Sequence, residues 1–163
     1  MDDFWLGIRL LLLLAVANSA PIATKRLLGA RWSAPLDGGL RFIDGRPLLG
    51  PSKTVRGVVV AVAACALCAP LLGLPLALGA LIGAASMAGD ALSSFIKRRL
   101  AIESSGQAFG LDQVPEALLP LLAVQGLLDL SLLQVAAVTA AFFLLEIPLA
   151  RLSFRLGLRE RPY

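Results

Sequence analysis

Five apolar runs, near residues 4–20, 56–72, 73–93, 114–130 and 131–150, constrain this chain more than any other feature. Crossing a hydrocarbon core of about 30 Å takes about 20 helical residues. A segment in lipid must also satisfy its own backbone, which makes runs of this length helices. The expected fold is an all-α integral membrane protein: one polytopic domain over 1–163 with five transmembrane helices, the tightest turn falling between Pro70 and Pro75. Composition agrees, since 58% of the residues are hydrophobic and mean hydropathy is +0.81, against an apolar share of about 45–50% in soluble domains.

The first run resembles a secretory leader only superficially. Asp2 and Asp3 spoil a positively charged start, and Pro21 would follow the best cleavage point, Ala20. It reads as an uncleaved span. Of 15 Lys and Arg residues, seven (Lys25, Arg26, Arg31, Arg41, Arg46, Lys53, Arg56) lie between spans one and two. Lys97, Arg98 and Arg99 lie between spans three and four, and Arg151, Arg155, Arg159 and Arg161 follow span five. Five spans place all three groups on one side, which the positive-inside rule makes cytoplasmic. The N-terminus is then outside and the C-terminus cytoplasmic, in a plasma or inner membrane. Only Arg9 falls elsewhere.

Chemistry is expected in the two loops on the basic side, because the turns on the other side are too short to do more than connect. Cys65 and Cys68, with no His in the chain, do not complete a zinc site and read as packing residues. Gly45 and Gly50 give the frame of a phosphate-binding P-loop, but Pro51 and Ser52 intervene before Lys53, and no strand precedes it. The loop over 19–55 is nonetheless rich in Gly, Pro and cations, a composition suited to receiving phosphate. Lys53 and Arg56 can be read as lipid anchors that snorkel to headgroups. Their setting between Gly50, Pro51, Thr54 and Gly57 favours a site, since anchoring requires only charge.

Asp90 is the strongest single residue, because a carboxylate in a membrane helix is costly unless paired or hydrated. Asp90, Ser93, Ser94 and Lys97 stand at i, i+3, i+4 and i+7 and so share one helical face. The structural alternative is an ion pair of Asp90 with Lys97 or an Arg. Asp112, at the start of span four, can cap that helix or join Asp90 at one mouth. Two carboxylates beside Lys97, Arg98, Lys53 and Arg56 suit Mg²⁺ and a nucleotide. Glu116, Glu146 and Asp129 read as mainly structural, and Gln125 and Gln134 as interhelical hydrogen-bonding residues. Gly79, Gly83, Ala84, Ser86 and Gly89 would let helices approach closely, within the chain or across a homodimer.

The strings N-S-A-P at 18–21, D-G-G at 37–39, F-I-D-G-R at 42–46, G-P-S-K-T-V-R-G at 50–57, G-D-A-L-S-S-F-I-K-R-R at 89–99 and L-D-Q at 111–113 resemble CDP-archaeol synthase. That family stands beside phosphatidate cytidylyltransferase. The resemblance covers most of 18–116. It implies Mg²⁺-dependent transfer of a cytidylyl group from CTP to a membrane lipid phosphate, with pyrophosphate released. It assigns nucleotide binding to Lys53, Thr54, Arg56, Ser93, Ser94, Lys97 and Arg98, metal to Asp90 and Asp112, and catalysis to Lys53, Arg56, Asp90, Lys97, Arg98 and Asp112. Where the family pattern carries a second Asp two residues beyond L-D-Q, this chain has Pro115, and Glu116 is the candidate substitute ligand. Phosphatidate is the runner-up lipid, a non-enzymatic transporter or assembly subunit the rival class, and no nucleic-acid partner is expected.

Overall fold

The computed structural model describes residues 3–104, 106 and 108–155, the side chains of 151–153 and 155 excepted. Arg159 and Arg161, and the side chains of Arg151 and Arg155, therefore lie outside the described residues. Five helices follow one another: α1 (Asp3–Leu28), α2 (Val55–Leu71), α3 (Leu76–Arg99), α4 (Gln113–Val124) and α5 (Leu132–Arg155). Their order matches the five expected spans, but their lengths do not all match. At 1.5 Å per residue, the 26-residue α1 and 24-residue α3 exceed the hydrocarbon thickness. Together with α5 they are, among the described residues, the three helices long and apolar enough to cross a membrane. The 17-residue α2 reaches about 26 Å and the 12-residue α4 only about 18 Å.

Local chemistry explains several boundaries. α1 runs eight residues past the expected end at 20 and carries Pro21 within it. It stops at Gly29, whose φ of +55° suits a left-handed cap and whose N–H donates to the Lys25 carbonyl at 2.9 Å. Thr54 caps α2, its hydroxyl accepting from the Gly57 N–H at 3.1 Å. At the start of α5, Ser131 and Gln134 form a reciprocal capping box. The Gln134 side chain accepts from the Ser131 N–H at 2.7 Å, and the Ser131 hydroxyl accepts from the Gln134 N–H at 3.2 Å. Gln134 thus serves its own helix, which corrects the interhelical role that its polarity alone suggested.

The helices pack as a ring in which α1 meets α2, α2 meets α3, α3 meets α4, α4 meets α5, and α5 returns to α1, with α1 also touching α3 across the middle. Leu10, Leu13, Leu14, Ile82, Leu121 and Val124 fill the interior. Large apolar side chains such as Leu67, Leu71, Leu133 and Leu144 point outward, as a lipid-facing surface requires. The small-residue face of α3 is used within the chain. A methyl on Gly83 would lie 2.9 Å from the Val62 Cα, and one on Gly79 would strike the Cys65 carbonyl, both on α2. One on Gly89 would strike the Pro115 carbonyl on α4. This close packing gathers the ends of α1, α2, α3 and α4 that carry the long loops.

Candidate active site

The loop between α1 and α2 is held in shape by a few specific bonds. Leu36 N–H donates to the Lys53 carbonyl at 2.8 Å and Val55 N–H to the Ala34 carbonyl at 3.0 Å, so the two loop ends run side by side. Between them Arg41 and Pro47 pair across a tight turn, with Phe42 N–H donating to the Arg46 carbonyl at 2.8 Å. The buried Asp37 carboxylate gathers the N–H groups of Leu49 at 2.8 Å, Gly39 at 3.0 Å and Gly50 at 3.2 Å. Burial alone would raise its pKa. Those backbone donors, Leu49 foremost, outweigh burial and hold it below the ordinary aspartate value.

The turn is bolted to the end of α3. Arg99 donates to the Asp44 carboxylate at 3.0 Å and to the Pro47 carbonyl at 2.6 Å, while its guanidinium lies 4.7 Å from the Phe42 ring centre and 5.0 Å from that of Phe95. Arg46 returns the favour by donating to the Arg99 carbonyl at 2.6 Å, one of the C-terminal carbonyls α3 leaves free. The two loop-derived contacts therefore fix where the segment 48–53 lies over the helix.

On this frame Lys53 reaches Asp90. Its ammonium sits 2.6 Å from both carboxylate oxygens, with the two side chains 20% and 28% exposed. A second pair lies alongside in sequence: Lys97 is 2.5 Å from Asp112 and also donates to the Gly106 carbonyl at 3.2 Å. Asp112 occupies the N-cap position of α4 without capping it, and its other oxygen accepts from the Ala108 N–H at 2.9 Å. Arg98 is buried, donates to the Glu103 carbonyl at 2.7 Å, and keeps its Nε–H buried with no partner among the described residues. A buried donor left unpaired costs about 1–3 kcal/mol, which an incoming anionic oxygen would relieve. The loops meet here too, since Ser104 donates to Ser52 at 3.3 Å.

Other expected site residues have local duties. Arg56 donates to the Gly29 carbonyl at 3.1 Å and to that of Arg31, tying α2 to the end of α1. The Thr54 hydroxyl is committed to the helix cap. Ser93 and Ser94 share the buried face of α3 with Lys97 and Arg98, as the spacing required, but Ser93 donates to the Gly89 carbonyl at 3.0 Å. Asp90 pairs with Lys53, and not with Lys97 or an arginine. Glu116 is buried on α4 beside Gly89, and among the described residues no three acidic or thiol side chains gather as a ready-made metal cluster. Reading residue types missed Asp37, Asp44, Arg46 and Arg99 as site-shaping residues. The signals were present: Asp-Gly-Gly is an Asx-turn sequence and Asp-Gly-Arg a tight turn.

The donor chemistry suits a hard divalent cation. Asp90 already holds an ammonium between both oxygens, and Mg²⁺ characteristically takes one or two carboxylates together with substrate phosphates and water.

Comparison with known proteins adds a name to this geometry. Residues 72–163 match the family model described as CarS-like, CDP-archaeol synthase. The CDP-archaeol synthase of Aeropyrum pernix is 34% identical over all of this chain and 94% of that protein. That of Thermofilum pendens is 35% identical over 91% of this chain and 76% of its own length, and that of Hyperthermus butylicus 42% over 60% of this chain and 59% of its length. A solved structure described as an intramembrane enzyme for archaeal membrane lipids biosynthesis superposes with a TM-score of 0.73 at 32% identity, over 86% of this chain and 90% of that one.

Proposed function

Because the chain belongs to the CarS-like CDP-archaeol synthase family, we infer that it transfers the cytidylyl group of CTP to an archaeal ether-lipid phosphate in the membrane. An oxygen of the lipid phosphate attacks the α-phosphorus, the bond to the β-phosphate oxygen breaks, and pyrophosphate leaves. The observation that carries this reading is the pair of ion pairs, Lys53–Asp90 and Lys97–Asp112, at one end of an apolar helical ring. That end is where a nucleotide from water and a phosphate from the bilayer can meet.

Phosphoryl-group chemistry of this kind asks for positioning and charge neutralisation more than for covalent help. Lys53, Lys97 and Arg98 supply fixed positive charge, and the unpartnered Nε–H of Arg98 supplies a donor for a phosphate oxygen. Asp90 and Asp112 would hold Mg²⁺, with Glu116 the candidate third ligand, and the ion would neutralise the triphosphate and pyrophosphate charge. No base is required, because a phosphomonoester is already close to dianionic at neutral pH. The lack of histidine is consistent with this. Arg56 and Thr54 act by holding the loop that delivers Lys53. The basic end faces the cytoplasm of a plasma membrane by the positive-inside rule, with the N-terminus outside.

Pyrophosphate release by detergent-purified protein given CTP and Mg²⁺ tests this reading, run with an archaeal ether-lipid phosphate, with phosphatidate or without lipid. Release that requires the ether lipid is expected. Preference for phosphatidate would reassign the substrate, and no release with any lipid from folded protein would overturn the reaction.

A further inference from the structure

The ring of helices is open at one seam. Between α1 and α5 lies a cleft of about 210 Å³ whose α1 wall runs from Leu11 through Ala15 and Ile22 to Arg26. Fifteen residues of helix separate Leu11 from Arg26, which places the cleft along about 22 Å of the bilayer's depth. Its α5 wall is formed by Phe142, Leu145 and Leu149. Ala15, Ser19 and Ala23, spaced one turn apart, line it with small side chains. Such spacing normally lets helices close on one another, yet here it leaves room.

The cleft is not uniformly apolar. Midway, Asn18 donates to the Glu146 carboxylate at 3.1 Å and joins the walls. At the loop-bearing end stands the cation of Arg26, in the last turn of α1. That end also adjoins the proposed site. Pro21 packs toward Gly57, where an added methyl would lie 3.5 Å from its Cβ, and Gly57 is bonded to Thr54, the neighbour of Lys53. An apolar seam in the helical ring that ends in a cation, on the helix whose Pro21 packs toward Gly57, fits one class of ligand, a long-chain lipid with an anionic head.

The geometry points to the α1–α5 cleft as the berth for a hydrocarbon chain of the lipid phosphate, with Arg26 at the phosphate end. The assignment rests on the cytidylyl-transfer reading for the identity of the lipid, while the cleft itself is read from α1 and α5 alone. The chain lies against Leu11, Ile22, Phe142 and Leu145, and the Asn18–Glu146 bond is the point at which the walls are tied.

A lipid phosphate with a photoreactive diazirine in its chain, incubated with the purified full chain and irradiated, tests this directly. Label is expected on residues 11–23 and 142–149. Ala15→Phe should reduce it at least fivefold and raise the KM for lipid phosphate by a similar factor without a matching change in the KM for CTP. Leu12→Phe places the same side chain on α1 outside the cleft lining and should alter neither. Label confined to other helices, or label unchanged in correctly folded Ala15→Phe, would overturn the proposal. Failure of the transfer reaction is separately visible, as absence of pyrophosphate release by the wild-type protein, and the labelling pattern still decides whether the cleft holds a chain.

Discussion

Asp90 shows how much a single residue told in advance and what it withheld. Its position in an apolar helix marked it as a candidate, but its partner, Lys53, is 37 residues away, and only the folded loop brings them together. Asp90→Asn should lower turnover by roughly 10²-fold or more if it holds the metal, with a cooperative melt retained in the same preparation; turnover near the wild-type value would remove it from the site. Asp37 was legible only as a turn residue, because its acceptor role depends on Leu49 and Gly50 folding back upon it. Its carboxyl titrates below the ordinary aspartate value. The stabilisation it gives is therefore complete above about pH 4 and is lost as pH falls through its folded-state value. Amide protection at Leu49 and Gly50 should drop in that acid window in the wild type. Asp37→Asn should show weak protection with no such step; the same acid step in that variant would assign the titration elsewhere.

At the scale of elements, hydropathy located all five helices, and α2 lies within a residue of its expected bounds. It misjudged the ends of α1, α3, α4 and α5, the last running five residues past its expected end at 150. α1 and α3 continue past the apolar runs because their last turns carry Lys25, Arg26, Lys97, Arg98 and Arg99, polar residues that favour a helix C-terminus as well as any helix interior does. α4 stops at Val124 while the apolar run continues, since composition does not register that Gln125 to Asp129 form turns, with Asp129 at a φ of +51°. The hairpin at 41–47 was invisible as an element, being too short for any periodicity. Its attachment predicts that Arg99→Ala, which loses the Asp44 and Pro47 bonds and both ring contacts, will speed tryptic cleavage after Arg41 while helix content holds. Unchanged cleavage would show the bolt to be unimportant. The α3–α4 contact gives a second prediction. Gly89→Ala must push Pro115 away and should cost about 1–3 kcal/mol, against about 1 kcal/mol for loss of the α2 cap in Thr54→Ala. Thermal unfolding in one detergent ranks the two, and a harmless Gly89→Ala would contradict the packing.

For the whole molecule, the all-helical membrane class and the family were legible in the residues, because burial in lipid imposes helices and the family strings lie in order along the chain. The sequence did not convey that the helices close into a ring with a seam between α1 and α5, which depends on which faces meet. That architecture divides the labour: long helices hold the molecule in the bilayer, the short α4 presents Asp112 opposite the end of α3, and the two loops cover both ion pairs. The central claim is that this covered end transfers a cytidylyl group. CTP labelled with phosphorus-32 at the α position in one reaction and at the γ position in another, each with ether-lipid phosphate and Mg²⁺, tests it most directly. With the wild-type protein α label, and not γ label, is expected to enter the organic-extractable lipid, and Asp90→Asn is expected to abolish the transfer. Gamma label in the lipid, or undiminished transfer by Asp90→Asn, would contradict that claim.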